Sequence, residues 1–177
     1  YETAIGAFDS SDTSVEDISK ALKILARKAG VFGMIGGQVV DVESEKKQLT
    51  MTEEKIDFIY ELKTGALIEA SMEIGAVLAH ASAEHVALIE RVASKIGMAF
   101  QIQDDILDIE GDEAVLGKPI GSDERNDKAT YVTFAGINKS KEEVKRLTDE
   151  AIKELDSLPY ENEFLKELMN YLVYRDN

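Results

Sequence analysis

The stretch Ala99-Phe100-Gln101-Ile102-Gln103-Asp104-Asp105-Ile106-Leu107-Asp108 constrains the fold more than any other part of the chain. It is apolar on both sides, yet it sets three carboxylates close together. Written on a helix, Gln101, Asp104, Asp105 and Asp108 fall at i, i+3, i+4 and i+7, which is one face. Like charges four apart on a helix repel by a few tenths of a kcal/mol, so a cation would relieve the stripe. On these residues alone two readings stand: a divalent metal held by carboxylate oxygens, or a solvated acidic face that needs no partner.

The surroundings read as helix throughout, and the expected class is all-α. Two prolines in 177 residues, with Ala, Glu, Lys, Leu and Ile abundant, favour helix. Ser14 with Asp17 resembles a capping box and predicts a helix over 14–29, ended by Gly30. Thr52 starts a long run whose apolar face includes Ile56, Ile59, Tyr60, Leu67, Ala70 and Val77. Ser82 opens the next, with Ile89, Val92, Ala93 and Ile96 leading into the aspartate stretch. About sixteen residues from Gly111 are rich in Gly, Pro, Asn and Asp and show no helical period, which predicts a loop of the kind that forms lids or binding segments. A short helix is expected within 128–136. Ser140 with Glu143 predicts a helix over 141–158 stopped by Pro159, and a last amphipathic helix covers 162–174. No repeat, low-complexity segment or linker divides residues 1–177, so one domain is expected.

Other polar residues interrupt apolar helices. Gly33, Gly36 and Gly37 precede Gln38 and Asp41, which sit at i and i+3 among Val39, Val40 and Val42. Three glycines in a helix suggest very close packing, and buried-looking polar groups need partners. They form either a structural polar network or part of a site. Lys63-Thr64-Gly65 breaks the long run after Thr52, where Gly65 could let the helix bend and free the Lys63 carbonyl. The alternative is a snorkelling lysine beside a packing glycine. His80 and His85, five apart, do not share a helix face, so a two-histidine metal site is not expected.

Composition narrows the function classes. The net charge of −15 argues against nucleic acid and anionic membrane as partners. An anionic substrate would need metals or a few placed lysines, and Lys118 and Lys128 stand in the acidic loop after the aspartates. The absence of cysteine fits a reducing, cytoplasmic setting, and no apolar run approaches the ~20 residues of a membrane span. The chain opens on Tyr1 rather than Met, as a piece of a longer protein would. Carboxylates and lysines inside a helical bundle suit a phosphate-rich anion held through Mg²⁺, a hard cation that binds through one or two carboxylates plus substrate phosphates.

These segments resemble a known family. FQIQDDILDIEGD followed by LGKPIGSDERNDKATY is similar to the second aspartate-rich motif and following loop of the trans-isoprenyl diphosphate synthases, nearest to the bacterial farnesyl diphosphate synthases. GGQVVD and ELKTGALIEAS match the family's GGQ and KT helices in order. The resemblance implies an all-helical isoprenoid-synthase bundle around a central cavity, with the N-terminal helices missing. It implies Mg²⁺-assisted condensation of an allylic diphosphate with isopentenyl diphosphate, in a cytoplasmic homodimer. It implies that Asp104, Asp105 and Asp108 hold metal and its water shell. Lys63, Lys118 and Lys128 would contact diphosphate, and Thr64 and Gln101 would face the developing carbocation. Gln38 and Asp41 would line the pocket, with Leu67, Ile68 and Phe100 as walls for the prenyl tail. The family's first aspartate-rich motif has no counterpart upstream of Asp104, so the chain by itself is expected to be catalytically incomplete. The rival within the family is a non-catalytic subunit that modulates a partner synthase.

Overall fold

A computed structural model of the chain describes residues 2–9, 13–47, 50–111 and 129–174. All regular structure among them is helical. The order is α1 (Glu2–Gly6), a 3₁₀ turn (Ala7–Asp9), α2 (Val15–Ala29), α3 (Met34–Lys47), α4 (Glu53–Tyr60), a π-helical turn (Glu61–Gly65), α5 (Ala66–Leu78), α6 (Ala83–Glu110), α7 (Tyr131–Ala135), α8 (Ile137–Leu155) and α9 (Glu163–Val173).

The 28-residue α6 is the central post, about 42 Å long at 1.5 Å per residue. It starts where the sequence demands: the Ser82 side chain accepts from the His85 N–H, satisfying an orphan donor of the first turn. Thr52 caps α4 and Ser14 caps α2 in the same way. Helices α5 and α8 lie along α6, α2 lies along α5, and α3 packs on the π turn. The core is aliphatic: Val92, Ile96 and Ile102 of α6 meet Val144, Ala151 and Leu155 of α8, with Met169 and Val173 of α9 closing one end.

Two boundaries differ from expectation. Helix α8 begins at Ile137, not after Ser140, because Gly136 turns the chain with φ 81° and ψ 155° and the helix starts at once. Ser140 is therefore an internal, fully buried residue whose hydroxyl donates to the Gly136 carbonyl at 2.9 Å. The run after Thr52 is not one α-helix but α4 and α5 joined by the π turn. Beyond Gly111, the loop expected over about sixteen residues from that glycine lies outside the described residues, as do Lys118 and Lys128.

Candidate active site

The site is built where α4, the π turn and α5 run antiparallel to α6. The Tyr60 hydroxyl donates to Asp105 Oδ2 at 2.5 Å, and four residues on, the Thr64 hydroxyl donates to Gln101 Oε1 at 3.2 Å, four residues back along α6. One helical turn further, Gly65 and Gly97 meet: a Cβ on Gly97 would lie 2.9 Å from the Gly65 Cα. This glycine pair brings the two backbones together and so sets the Thr64 and Gln101 side chains within reach.

The π turn splits two adjacent residues between two neighbours. Ala66 N–H bonds back to the Glu61 carbonyl, five residues earlier, so the turn is wider than an α turn; such bulges recur at functional sites. Thr64 faces α6, whereas Lys63 faces α3, where its Nζ meets Asp41 Oδ2 at 2.5 Å. Asp41 is buried and the Lys63 side chain is one-third exposed. The approach of α3 depends on Gly37, which packs against the Lys63 and Leu62 backbone. The two motifs singled out in the sequence, GGQVVD and KTG, are thus in direct contact. Gln38 is half-buried on the same helix.

Of the aspartates, Asp104 is half-buried, and Asp105 and Asp108 are buried. Asp105 Oδ2 also accepts the Tyr131 N–H at 3.0 Å, at the first residue of α7. Leu67 and Ile68 line a cavity of about 420 Å³ together with Lys63 and Thr64 and with Leu165 and Leu168 of α9; Phe100 is not among its lining residues. Sequence reasoning placed Tyr60 only in the apolar face and assigned nothing to α9 there. The available signal was spacing: Tyr60 stands one turn before Thr64, as Asp105 stands one turn after Gln101.

The donor set fits a hard divalent cation. Asp104 and Asp108, at i and i+4, supply two carboxylates on one helix face, and Mg²⁺ takes one or two with phosphates and waters completing its shell. Among the described residues, the acidic triplet whose ligand oxygens all lie within 4.8 Å of one another is elsewhere: Glu69, Glu73 and Glu90. The protein supplies its own cation there. Lys28 Nζ lies 2.5 Å from Glu69, 2.7 Å from Glu90 and 3.3 Å from Glu73. Burial alone would lower the Lys28 pKa, but the hydrogen bonds it donates to Glu69 and Glu90 outweigh it and hold the ammonium well above the usual lysine range. Burial pushes the Glu73 carboxyl up despite Lys28.

The chain is similar to known proteins over most of its length. The polyprenyl synthetase family model matches residues 7–172. A farnesyl diphosphate synthase of Bacillus subtilis is 37% identical over 168 residues, 95% of this chain and 56% of that protein. A geranylgeranyl diphosphate synthase of Cyanophora paradoxa is 40% identical over 162 residues, 90% of this chain and 53% of that protein. A Helicobacter pylori geranyltransferase structure, in complex with magnesium and isoprenyl diphosphate, superposes with a TM-score of 0.74 at 30% identity, covering 90% of this chain and 52% of that one. The chain spans about half the length of the relatives it matches.

Proposed function

We propose that this chain, which belongs to the polyprenyl synthetase family, binds an allylic diphosphate through Mg²⁺ and takes part in its condensation with isopentenyl diphosphate. The observation that carries this is Thr64 of the π turn meeting Gln101 on the aspartate-bearing helix α6, while its neighbour Lys63 is held by Asp41 of α3. Asp104 and Asp108 are the metal-facing carboxylates. A cation bound there supplies charge for the diphosphate leaving group, the electrostatic term that commonly removes several kcal/mol from a barrier.

The chain's own side chains divide the remaining work. Lys63, held at Asp41, presents an ammonium to the diphosphate; Asp41 fixes where it sits without burying it. Lys118 and Lys128 are proposed to add charge from the segment after the aspartates, and Gln38 lines the pocket beside Asp41. Thr64 gives its hydroxyl hydrogen to Gln101, so the lone pairs of its oxygen remain for the positive charge that develops on the allylic carbon. The mostly apolar lining of the cavity along Leu67 and Ile68 suits a prenyl chain. Relatives named for farnesyl and for geranylgeranyl products match about equally well, so product length is not assigned. Pairing of two copies fits the exposed Val31, Phe32, Ile35 and Val39 around the start of α3; sedimentation at micromolar chain should show a dimer, and a monomer would dismiss it.

Calorimetry of geranyl diphosphate binding tests the proposal. Binding should require Mg²⁺, and Asp104→Ala and Lys63→Ala should each weaken it at least tenfold. Binding that ignores Mg²⁺ and both substitutions would refute it.

A further inference from the structure

We infer that Asp105 is a positioning residue, which locks the Lys63–Thr64 turn and the start of α7 onto the aspartate helix, and is not a ligand of the metal. This inference rests on the diphosphate-binding reading above. Successive helix positions differ by about 100°, so Asp104 and Asp105 mark opposite edges of the acidic face. Asp104 stands on the edge away from Tyr60. Asp105 stands on the edge toward α4 and α7, where its Oδ2 takes both the Tyr60 hydroxyl at 2.5 Å and the Tyr131 N–H at 3.0 Å. Both Asp105 and Tyr60 are nearly fully buried, at 8% and 5% exposure.

The position of this junction gives it leverage. Tyr60 is the last residue of α4, immediately before the π turn that carries Lys63 and Thr64. Tyr131 is the first residue of α7, three residues after Lys128. A buried carboxyl acceptor between them therefore couples three elements: the KT turn, the aspartate helix and the start of α7. A carboxylate can accept both bonds at one oxygen, and charge-assisted hydrogen bonds are shorter and stronger than neutral ones. Removing the charge or the phenol hydroxyl should loosen the turn without altering the metal's own ligands.

The test uses the whole chain with Mg²⁺ and inorganic diphosphate. Asp105→Asn and Tyr60→Phe, singly and together, are compared with Asp104→Asn. Asp105→Asn and Tyr60→Phe should each weaken diphosphate binding about fivefold to twentyfold at saturating Mg²⁺. The double variant should be little worse than the stronger single one, as expected of residues acting through one contact. The Mg²⁺ midpoint should stay within threefold of wild type in both, whereas Asp104→Asn should shift it more than tenfold. An Asp105→Asn shift as large as that of Asp104→Asn, with Tyr60→Phe silent, would overturn the inference. So would loss of thermal stability in both variants with neither binding parameter moved. Tyr60→Phe removes only a hydroxyl, so it carries the test alone if Asp105→Asn fails to fold. A wild-type chain that shows no Mg²⁺-dependent diphosphate binding would sink the functional reading itself, an outcome distinct from either.

Discussion

Replacing Gly37 with alanine measures how tightly α3 clamps the Lys63–Thr64 turn. A Cβ at Gly37 would lie 2.4 Å from the Lys63 nitrogen, 2.9 Å from the Leu62 Cβ and 3.0 Å from the Leu62 carbonyl carbon. These atoms belong to backbone or to the root of a side chain, so no rotamer change clears them. Ordinary contact returns only if α3 and the turn part by about 1 Å, and a gap of that size forfeits a quarter to a half of the dispersion well for atom pairs across it. Overpacking of this kind costs about 1–3 kcal/mol, against a helix-propensity gain of at most about 1 kcal/mol for Gly→Ala. With the full propensity gain the net expectation is a loss of up to about 2 kcal/mol, together with weaker diphosphate binding, because Lys63 is carried away from Asp41. Urea unfolding at neutral pH gives the first quantity and calorimetry the second. Gly75→Ala is the matched control: it lies in α5, a Cβ there meets nothing within 4 Å, and it should gain about 0.5–1 kcal/mol. If Gly37→Ala were as stable as wild type while Gly75→Ala behaved as expected, the clamp would not exist.

Three further outcomes follow from the same geometry. Glu73→Gln should stabilise the chain by up to about 1 kcal/mol at pH 7, since Lys28 keeps Glu69 and Glu90 while a carboxylate penalised by burial is neutralised. Burial raises the folded-state pKa of Glu73, so the penalty is present above that pKa and vanishes as the pH falls below the ordinary glutamate range. Urea midpoints of the two proteins should therefore converge in acid, and a constant gap would dismiss the argument. Gly136→Ala should cost about 1–3 kcal/mol through backbone strain alone, because φ is 81° and a Cβ there meets nothing within 4 Å; an unchanged urea midpoint would contradict it. Leu155→Ala, at a fully buried position, should lose about 2–5 kcal/mol with an unchanged denaturant slope, and a loss below 1 kcal/mol would mean that the α6–α8 core is not packed as described.

Much of this was legible in the chain because local chemistry decides it. Ser14, Thr52 and Ser82 cap the helices they were read to open, since an N-cap needs only a hydroxyl and the three residues after it. The glycines before Gln38 were read as a close-packing signal, and Gly37 has that role. Where the reading slipped, the deciding fact was not local. Ser140 with Glu143 has the spacing of a capping box, but the unusual backbone of Gly136 starts the helix four residues sooner and turns Ser140 into core. A helical wheel also shows nothing of the tyrosine 45 residues away and the start of α7 that Asp105 meets. The wall that α9 lends to the cavity was hidden for the same reason: an amphipathic helix shows which face it buries, not against what.

The π turn accounts for the oddest run in the sequence. Thr and Gly in mid-helix are unfavourable by several tenths to about 1 kcal/mol each relative to Ala, and a lysine in apolar surroundings adds nothing to a core. At Lys63-Thr64-Gly65 each has a use that a regular α turn would not give. Gly65 allows the contact with Gly97 that brings Thr64 to Gln101. The wider turn sends Lys63 to Asp41 on the other side. Lengthening the path by one residue lets neighbouring side chains serve two helices, Lys63 meeting Asp41 of α3 and Thr64 meeting Gln101 of α6. Local propensity is sacrificed where the binding geometry demands it, and the cost is met by the packing of α3, α5 and α6 around the turn.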